Sequence, residues 1–186
     1  MQTTGTRPRR IPLRRALLAV LLAAALLTLP ACGNSDDDSS GSTATASATS
    51  TAQQQKLAKT RFVANAGAAA GAAYQWIVKP YRAGKFKKGA DGRTFTLIKA
   101  GLAGTFAYNR LKAASDNAKG DPTLSKYMAP VTASIATLKD LPSKLRKGDG
   151  SAAGSFDDVI NQVKDAGKSA GADVTEKVPS LSSIGG

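Results

Sequence analysis

The sequence predicts an all-α protein, a four-helix up-down bundle on a disordered N-terminal tether. Apolar residues recur at three- and four-residue spacing in four segments after residue 56, and no strand-like alternation of useful length is found. All ten aromatic residues lie between Phe62 and Phe156, so the core has to form there. The roughly 130 residues available are enough for a core without disulfides.

The first 31 residues have the parts of a bacterial signal peptide. Five arginines between Arg7 and Arg15 form a basic region, and residues 16–29 are an uncharged apolar run. This run is shorter than the roughly 20 residues that a membrane-spanning helix needs. Leu29-Pro30-Ala31-Cys32 follows and resembles the lipobox of bacterial lipoproteins. An uncleaved anchor helix is the alternative.

The lipobox resemblance implies cleavage after Ala31 and a diacylglycerol thioether on Cys32. Two acyl chains on one residue suffice for stable anchoring, whereas a single chain does not. The expected location is therefore the outer face of the cytoplasmic membrane, with the protein held by its lipid. The pairs Arg9-Arg10 and Arg14-Arg15 leave both general secretion and twin-arginine export open.

Residues 32–55 are predicted to be the lipidated Cys32 and a disordered, Ser/Thr-rich tether. Residues 33–51 are only Ser, Thr, Ala, Gly, Asp and Asn, which bury too little apolar surface to offset the entropy of ordering. As a flexible coil, residues 33–55 would have a root-mean-square reach of about 26 Å. The hydroxyl side chains are possible O-glycan sites, although a plain linker is the simpler interpretation.

The first predicted helix covers residues 53–79 and is rich in alanine, with Pro80 and Gly84 marking its exit. The second starts near Asp91 or Arg93 and ends before Gly120. Its predicted core face is Phe95, Ile98, Leu102 and Phe106, with Leu97, Gly101, Gly104 and Tyr108 beside it. Close approach of the two backbones is expected at four glycines: Gly67, Gly71, Gly101 and Gly104.

The third predicted helix has Asp121 as its N-cap and Pro122 at its first position. Pro130 and Pro142 are expected to kink or split it. Its predicted core stripe is Leu124, Met128, Val131, Ile135, Leu138 and Leu145. Basic residues in the last turn, which interact favourably with the helix dipole, precede Gly148.

The fourth predicted helix opens with Ser155 and Asp158 at the spacing of a capping box. Its predicted core face is Phe156, Ile160, Val163, Gly167, Ala170 and Val174. The helical domain is thus predicted over residues 56–178. Residues 179–186 are expected to be a frayed tail.

The charge of the chain indicates the kind of partner. It has 26 basic and 13 acidic residues, a net charge of +13. Removing the signal peptide and the tether leaves 21 basic and 10 acidic groups, a net of +11. This balance favours anionic lipid or anionic wall polymer. Nucleic acid is not predicted as a partner because the chain is expected to be exported.

The candidate binding segment is residues 79–93, the connection between the first two helices. Its basic residues are Lys79, Arg82, Lys85, Lys87, Lys88 and Arg93. Tyr81 and Phe86 lie among them, and Asp91 is the single acid. Cationic groups interleaved with aromatic ones suit an anionic, amphipathic surface, whether lipid, wall polymer or an envelope protein. A solvated, solubilising loop is the alternative.

No catalytic site, metal site or cofactor is predicted. The chain contains no His and one Cys, so it lacks the commonest general base and metal ligand and any intrachain disulfide. Asp157 and Asp158 point about 100° apart on a helix, which favours capping over acid–base chemistry.

Three function classes follow from these observations. The leading interpretation is a non-catalytic envelope interaction module. A carrier of a small apolar ligand, held in an enclosed cavity beside Trp76, Phe95 and Phe106, is the alternative. An enzyme without a recognisable site is the third.

Two stretches carry a resemblance to a known family. They are residues 61–82, which include Tyr74-Gln75-Trp76-Ile77, and residues 98–112. They look like a group of uncharacterised lipoproteins of actinobacteria, which are high-GC Gram-positive bacteria. The resemblance covers about residues 56–175. It implies a lipobox signal peptide and a small helical domain, and it implies no activity and no site residues.

Overall fold

The computed structural model describes residues 42–185, with side chains from residue 51 onward. The described residues are helical apart from turns and one irregular segment, and no strand occurs among them. The all-α class is therefore confirmed. Gly41–Gly186 form one compact unit. The predicted signal peptide and Cys32 lie outside the described residues.

The helices follow one another with short connections. In chain order they are α1 Ser42–Ala73, α2 Lys79–Arg82, α3 Arg93–Ala118, α4 Pro122–Thr137, α5 Leu141–Lys147, α6 Ser151–Ser169 and α7 Leu181–Gly185. A π-helical turn, Tyr74–Val78, joins α1 to α2, and a 3-10 turn, Leu138–Asp140, joins α4 to α5. The most extensive contact is between α1 and α3. Around this pair, α4 and α5 pack against α3, and α6 packs against α4 and α1.

The first helix begins earlier than predicted, at Ser42 instead of Gln53. Part of the segment predicted to be a disordered tether is therefore helical. Alanines alternate with Ser and Thr in this stretch, and alanine has the highest intrinsic helix propensity. The side chains of residues 51–54 are exposed, so this first part of α1 adds no core contacts there.

The helix also continues past Pro80, the predicted exit, because the turn before the proline is widened. Pro80 has no N–H, and in a regular α-helix its ring would clash with the carbonyl group of Trp76. The π-helical turn Tyr74–Val78 removes this clash. Gly84, with φ of +70°, then ends the helix, and the N–H of Lys85 donates to the carbonyl of Pro80 at 3.0 Å.

The buried face of α3 differs from the predicted one. It consists of Leu97, Ala100, Gly101, Ala103, Gly104, Ala107, Leu111, Ala114, Ser115 and Ala118. Of the predicted core residues, Phe95 is 61 % and Ile98 49 % exposed. Leu102 and Phe106 are half-buried, and Phe106 packs against the core cluster. The reason is that α1 also presents buried alanines. Two faces of small side chains pack closely and densely, and large side chains do not fit into so narrow a gap.

Gly67 and Gly71 contact the C-terminal segment (residues 172–180), which is irregular and lies along α1. The N–H of Lys177 donates to the carbonyl of Gly67 at 2.9 Å. A Cβ on Gly67 would lie 2.5 Å from the carbonyl oxygen of Thr175, and one on Gly71 would overlap the backbone of Lys177 and Val178. These glycines therefore allow close approach of the C-terminal segment, and the prediction that they serve the contact with α3 is wrong.

The glycines of α3 also face other elements. A Cβ on Gly101 would overlap the side chain of Arg146 in α5. A Cβ on Gly104 would lie 3.0 Å from Leu145 and 3.3 Å from the ring of Phe156. The contact between α1 and α3 is thus built on alanines, and the glycines accommodate the larger side chains of α5 and α6.

The C-terminal tail differs from the frayed end predicted for residues 179–186. Helix α7 contacts α3, and Ile184 is buried in the core cluster. Earlier in the chain, Glu176 of the C-terminal segment forms an ion pair with Lys164 of α6 at 3.2 Å. Two contacts hold the C-terminal residues against the bundle. Ile184 is buried, and the backbone of residues 175–178 packs closely against Gly67 and Gly71.

The third predicted helix has the expected cap and is divided at one of its two prolines. Asp121 accepts a hydrogen bond from the N–H of Leu124 at 2.8 Å. Pro130 lies inside α4 without interrupting it, whereas Leu138–Asp140 breaks the helix just before Pro142. The whole predicted core stripe is buried: Leu124, Met128, Val131, Ile135, Leu138 and Leu145.

The fourth predicted helix starts earlier than expected, at Ser151. Oδ1 of Asp149 accepts hydrogen bonds from the N–H (2.9 Å) and the hydroxyl (2.6 Å) of this serine. These bonds hold the pKa of Asp149 below its ordinary value. Ser155 and Asp158 lie within the helix, so the predicted capping box is wrong. Phe156, Ile160, Val163 and Gly167 of the predicted core face are buried in the helix. The helix ends at Ser169, so Ala170 and Val174 are buried as predicted but lie after it, Val174 in the C-terminal segment.

Gly71→Ala is expected to detach the C-terminal segment from α1, because the added methyl group overlaps backbone atoms of Lys177 and Val178. We expect hydrogen exchange of the Lys177 amide to become at least about tenfold faster through local opening. The free energy of unfolding should fall by about 1–3 kcal/mol. Gly154→Ala is the control, since nothing lies within 4 Å of its Cβ position. Equal exchange rates in the two variants would contradict the role of Gly71.

Candidate functional site

The predicted binding segment, residues 79–93, consists of α2, a series of turns and the first residue of α3. Five of its basic side chains are exposed (Lys79, Arg82, Lys85, Lys87 and Lys88), and Arg93 is half-buried. Phe86 is buried in the core cluster in the middle of the segment. The segment is therefore an ordered connection, and the buried ring of Phe86 is one of its attachments to the bundle.

Two of the six predicted binding residues make contacts within the fold. A terminal guanidinium nitrogen of Arg82 lies 2.6 Å from Oδ2 of Asp157, in an exposed ion pair. Nε of Arg93 donates to the carbonyl of Phe86 at 2.9 Å. Asp157, expected to cap a helix, thus binds an arginine of the connection. These contacts link Arg82 to α6 and Arg93 to the turn that carries Phe86.

Lys79 and Lys85 lie on a groove between the end of α1 with α2 and the start of α3. We call it the Trp76–Phe95 groove, after the two aromatic side chains that line it. Its volume is about 360 Å³. It is open to solvent, since Phe95 is largely exposed. The π-helical turn before Pro80 places Trp76, the only tryptophan of the chain, on this surface.

Lys99 is a groove residue that the sequence analysis missed. It lines the groove with Lys79 and Lys85, and its Nζ lies 4.1 Å from the centre of the Phe95 ring, within cation–π range. Phe95 and Lys99 are four residues apart on one helix, a spacing that would have indicated their contact. The groove therefore has three lysines and one acid, Asp91. Its local charge is positive.

The α3 stripe (Phe95, Ile98, Leu102 and Phe106) begins at this groove with Phe95 and continues along α3. It has two exposed and two half-buried apolar side chains. Arg110 lies over the ring of Phe106 at 5.1 Å, as Lys99 does over Phe95. Contiguous apolar surface rimmed by polar groups is typical of interaction sites. Phe106 packs against the core cluster and Leu102 lies beside Gly185 of α7. The exposed apolar part of the stripe is therefore Phe95, which lines the groove, and Ile98, which follows it on the helix.

The other two lysines of the segment lie apart from this groove. Lys87 lines a second open depression of about 590 Å³ with Tyr81, Arg82 and Phe86. The rings of Tyr81 and Phe86 are 5.8 Å apart. The arginine there is already paired with Asp157, and Phe86 is buried, so this depression offers less free charge and less free apolar surface. Lys88 is exposed and lines neither site.

The enclosed cavity that the carrier hypothesis places beside Trp76, Phe95 and Phe106 can be compared with the structure. The space beside Trp76 and Phe95 is an open groove, not an enclosed cavity, and Phe106 does not line it. Between residues 42 and 185, no group of three or more acidic or Cys side chains is placed to hold a metal ion. In the part of the chain with described side chains, no buried side-chain nitrogen or oxygen lacks a hydrogen-bond partner.

Neither a protein-family model nor a curated protein nor a solved structure matches this chain. Among the described helices, none is long and apolar enough to cross a membrane.

Proposed function

We propose that this protein is a non-catalytic, lipid-anchored lipoprotein of the bacterial cell envelope, whose helical domain binds an anionic surface. In this proposal Cys32 carries the lipid at the outer face of the cytoplasmic membrane, as in the actinobacterial group that the sequence resembles. The lysines of residues 79–93 and Lys99 supply the contact with the anionic surface. The supporting observation is the Trp76–Phe95 groove, where three lysines and two aromatic rings share one face with a single acid.

The bundle serves as the support of this surface. We take α1, α3, α4 with α5, and α6 as the four members of an up-down bundle, because consecutive members are joined by short connections and pack on one another. The ion pair of Arg82 with Asp157 and the hydrogen bond of Arg93 to Phe86 hold the connection in one conformation. A pre-ordered site loses less conformational entropy when it binds.

Replacement of Lys79, Lys85 and Lys99 by Ala is expected to weaken binding to vesicles rich in anionic lipid by more than about tenfold. A basic group near an anionic leaflet contributes about 1 kcal/mol, so three contribute about 2–3 kcal/mol. Raising the salt concentration to several hundred millimolar should weaken binding of the unmodified domain, because the Debye length shrinks to a few ångströms. Vesicle co-sedimentation at several salt concentrations measures both effects.

The matched control replaces three exposed lysines on other elements, Lys126, Lys139 and Lys168, by Ala. Both triple variants lose the same charge, so a loss confined to the groove variant identifies a local site. Equal losses would leave only generic attraction, and the proposal of a site would fail. Purified anionic wall polymer forms a second arm of the experiment. Absence of binding to both surfaces, above neutral controls at low salt, would refute the proposed function.

A further inference from the structure

We infer that the exposed part of the α3 stripe, Phe95 and Ile98, inserts into the interfacial region of an anionic phospholipid bilayer, with these two side chains among the acyl chains and the groove lysines at the headgroups. The inference rests on the proposed function and names the partner of the same surface. It adds an apolar contribution to binding that the charges alone do not provide.

The exposure of Phe95 and Ile98 is the first observation. They are large apolar side chains, 61 % and 49 % exposed, three residues apart on one face of α3. Exposed apolar surface in water is unfavourable, and its removal from water contributes about 25 cal/mol per Å². The aliphatic and aromatic groups of these two residues therefore favour a partner that offers hydrocarbon.

The position of the lysines around this apolar surface is the second observation. Lys79, Lys85 and Lys99 line the groove that Phe95 shares with Trp76. Long lysine side chains bury their methylene groups along apolar surface while the ammonium group stays with water or phosphate. Tryptophan is typically found at the level of lipid headgroups. An apolar face with lysines on its polar edge is the arrangement of helices that lie in a membrane interface.

Charge and chemistry favour a bilayer over the other possible occupants. A second copy of this domain, with its net charge of +11, would bring the groove lysines of both copies together, and like charges repel at such an interface. A hydrated polyanion matches the lysines and leaves Phe95 and Ile98 in water. An anionic bilayer offers phosphate groups and hydrocarbon within a few ångströms of each other, which matches both kinds of side chain.

Trp76 makes the inference testable, because it is the only tryptophan of the chain and lines the groove. The experiment uses residues 41–186, the compact unit, so that a lipid on Cys32 does not bind the protein to every vesicle. The vesicles contain phosphatidylglycerol and phosphatidylcholine, or phosphatidylcholine alone. We expect a blue shift of Trp76 emission, and quenching by lipids brominated near the top of the acyl chain, only with phosphatidylglycerol.

The combined replacement of Phe95 and Ile98 by Ser is expected to lower the affinity for these vesicles at least about tenfold and to abolish the quenching. About half of the surface of each of these side chains is exposed, so transfer into hydrocarbon would still contribute about half of the free energy of burying the whole side chain. The matched control replaces Leu57 and Val178 by Ser, since these are equally exposed (54 % and 57 %) on other parts of the fold. We expect the control to bind and quench like the unmodified domain.

Three results would overturn the inference. Salt-sensitive binding without quenching and without a loss in the Phe95 and Ile98 variant would mean electrostatic contact alone, and the proposed function would stand. A dimer that dissociates in this variant, measured by sedimentation, would make the stripe a self-interface. Absence of binding to anionic vesicles, with binding to anionic wall polymer, would remove the bilayer as partner while leaving the groove lysines their proposed role.

Discussion

Ile135→Asp is expected to unfold a large part of the domain at room temperature. Ile135 is 3 % exposed and lies in the middle of the buried stripe of α4. An aspartate there places a carboxyl group among apolar side chains without a partner and removes the packing of the isoleucine. We expect the free energy of unfolding to fall by about 4 kcal/mol or more, a large share of the 5–15 kcal/mol typical of a domain.

Urea unfolding followed by circular dichroism measures this loss. Ala133→Asp is the matched control, because Ala133 is exposed on the same helix and the new carboxylate remains in water. Its effect should stay within about 1 kcal/mol. Ile135→Val, which removes one methylene group, should cost about 1 kcal/mol. If Ile135→Asp were no more harmful than Ala133→Asp, this position would not belong to the core.

Cys32→Ala is expected to abolish the incorporation of labelled palmitate and to leave the full-length precursor in the cell. The proposed diacylglycerol group is joined through a thioether, and alanine has no sulfur atom to form it. Gel mobility and palmitate labelling in the producing bacterium measure the two effects. Ser35→Ala, three residues further on, should be labelled like the unmodified protein. Normal labelling of the Cys32→Ala variant would refute the proposed lipid anchor.

Local chemistry explains why much of the helical structure was predictable. The cap at Asp121 needs only the N–H of Leu124, three residues away, so its signature is complete within a short stretch of sequence. The stripe through Ile135 and the face through Phe156 contain large apolar residues separated by polar ones. In such helices the periodicity identifies one apolar face without ambiguity, and that face is buried.

The apolar pattern of α3 is ambiguous, and for this reason the sequence predicted the wrong buried face for this helix. Its large apolar residues, such as Phe95 and Ile98, lie on one face, and its alanines lie on another. Periodicity favours the face with the larger side chains. The structure buries the alanines because α1 offers a matching face of small residues. That choice depends on the neighbouring helix, so no property of α3 alone could decide it.

In the candidate site, too, some features follow from the local sequence and others from the packing of distant segments. The basic residues of 79–93 and the aromatic residues among them could be read directly from the chain, because they are close in sequence. The pairing of Arg82 with Asp157 joins residues 75 positions apart, and the groove brings Lys99 to Lys79 and Lys85. These combinations depend on how α1, α3 and α6 pack.

The sequence by itself determined the helical class, the cap at Asp121, the core faces of α4 and α6 and the basic character of the connection. These properties follow from local propensity, hydrogen bonding within one turn and unambiguous amphipathic patterns. Only the tertiary structure decided which face of α3 is buried, that Gly67 and Gly71 receive the C-terminal segment, and which lysines share a surface with Trp76. These outcomes depend on shape complementarity between segments distant in sequence, because dense packing selects one arrangement among several that the local patterns permit.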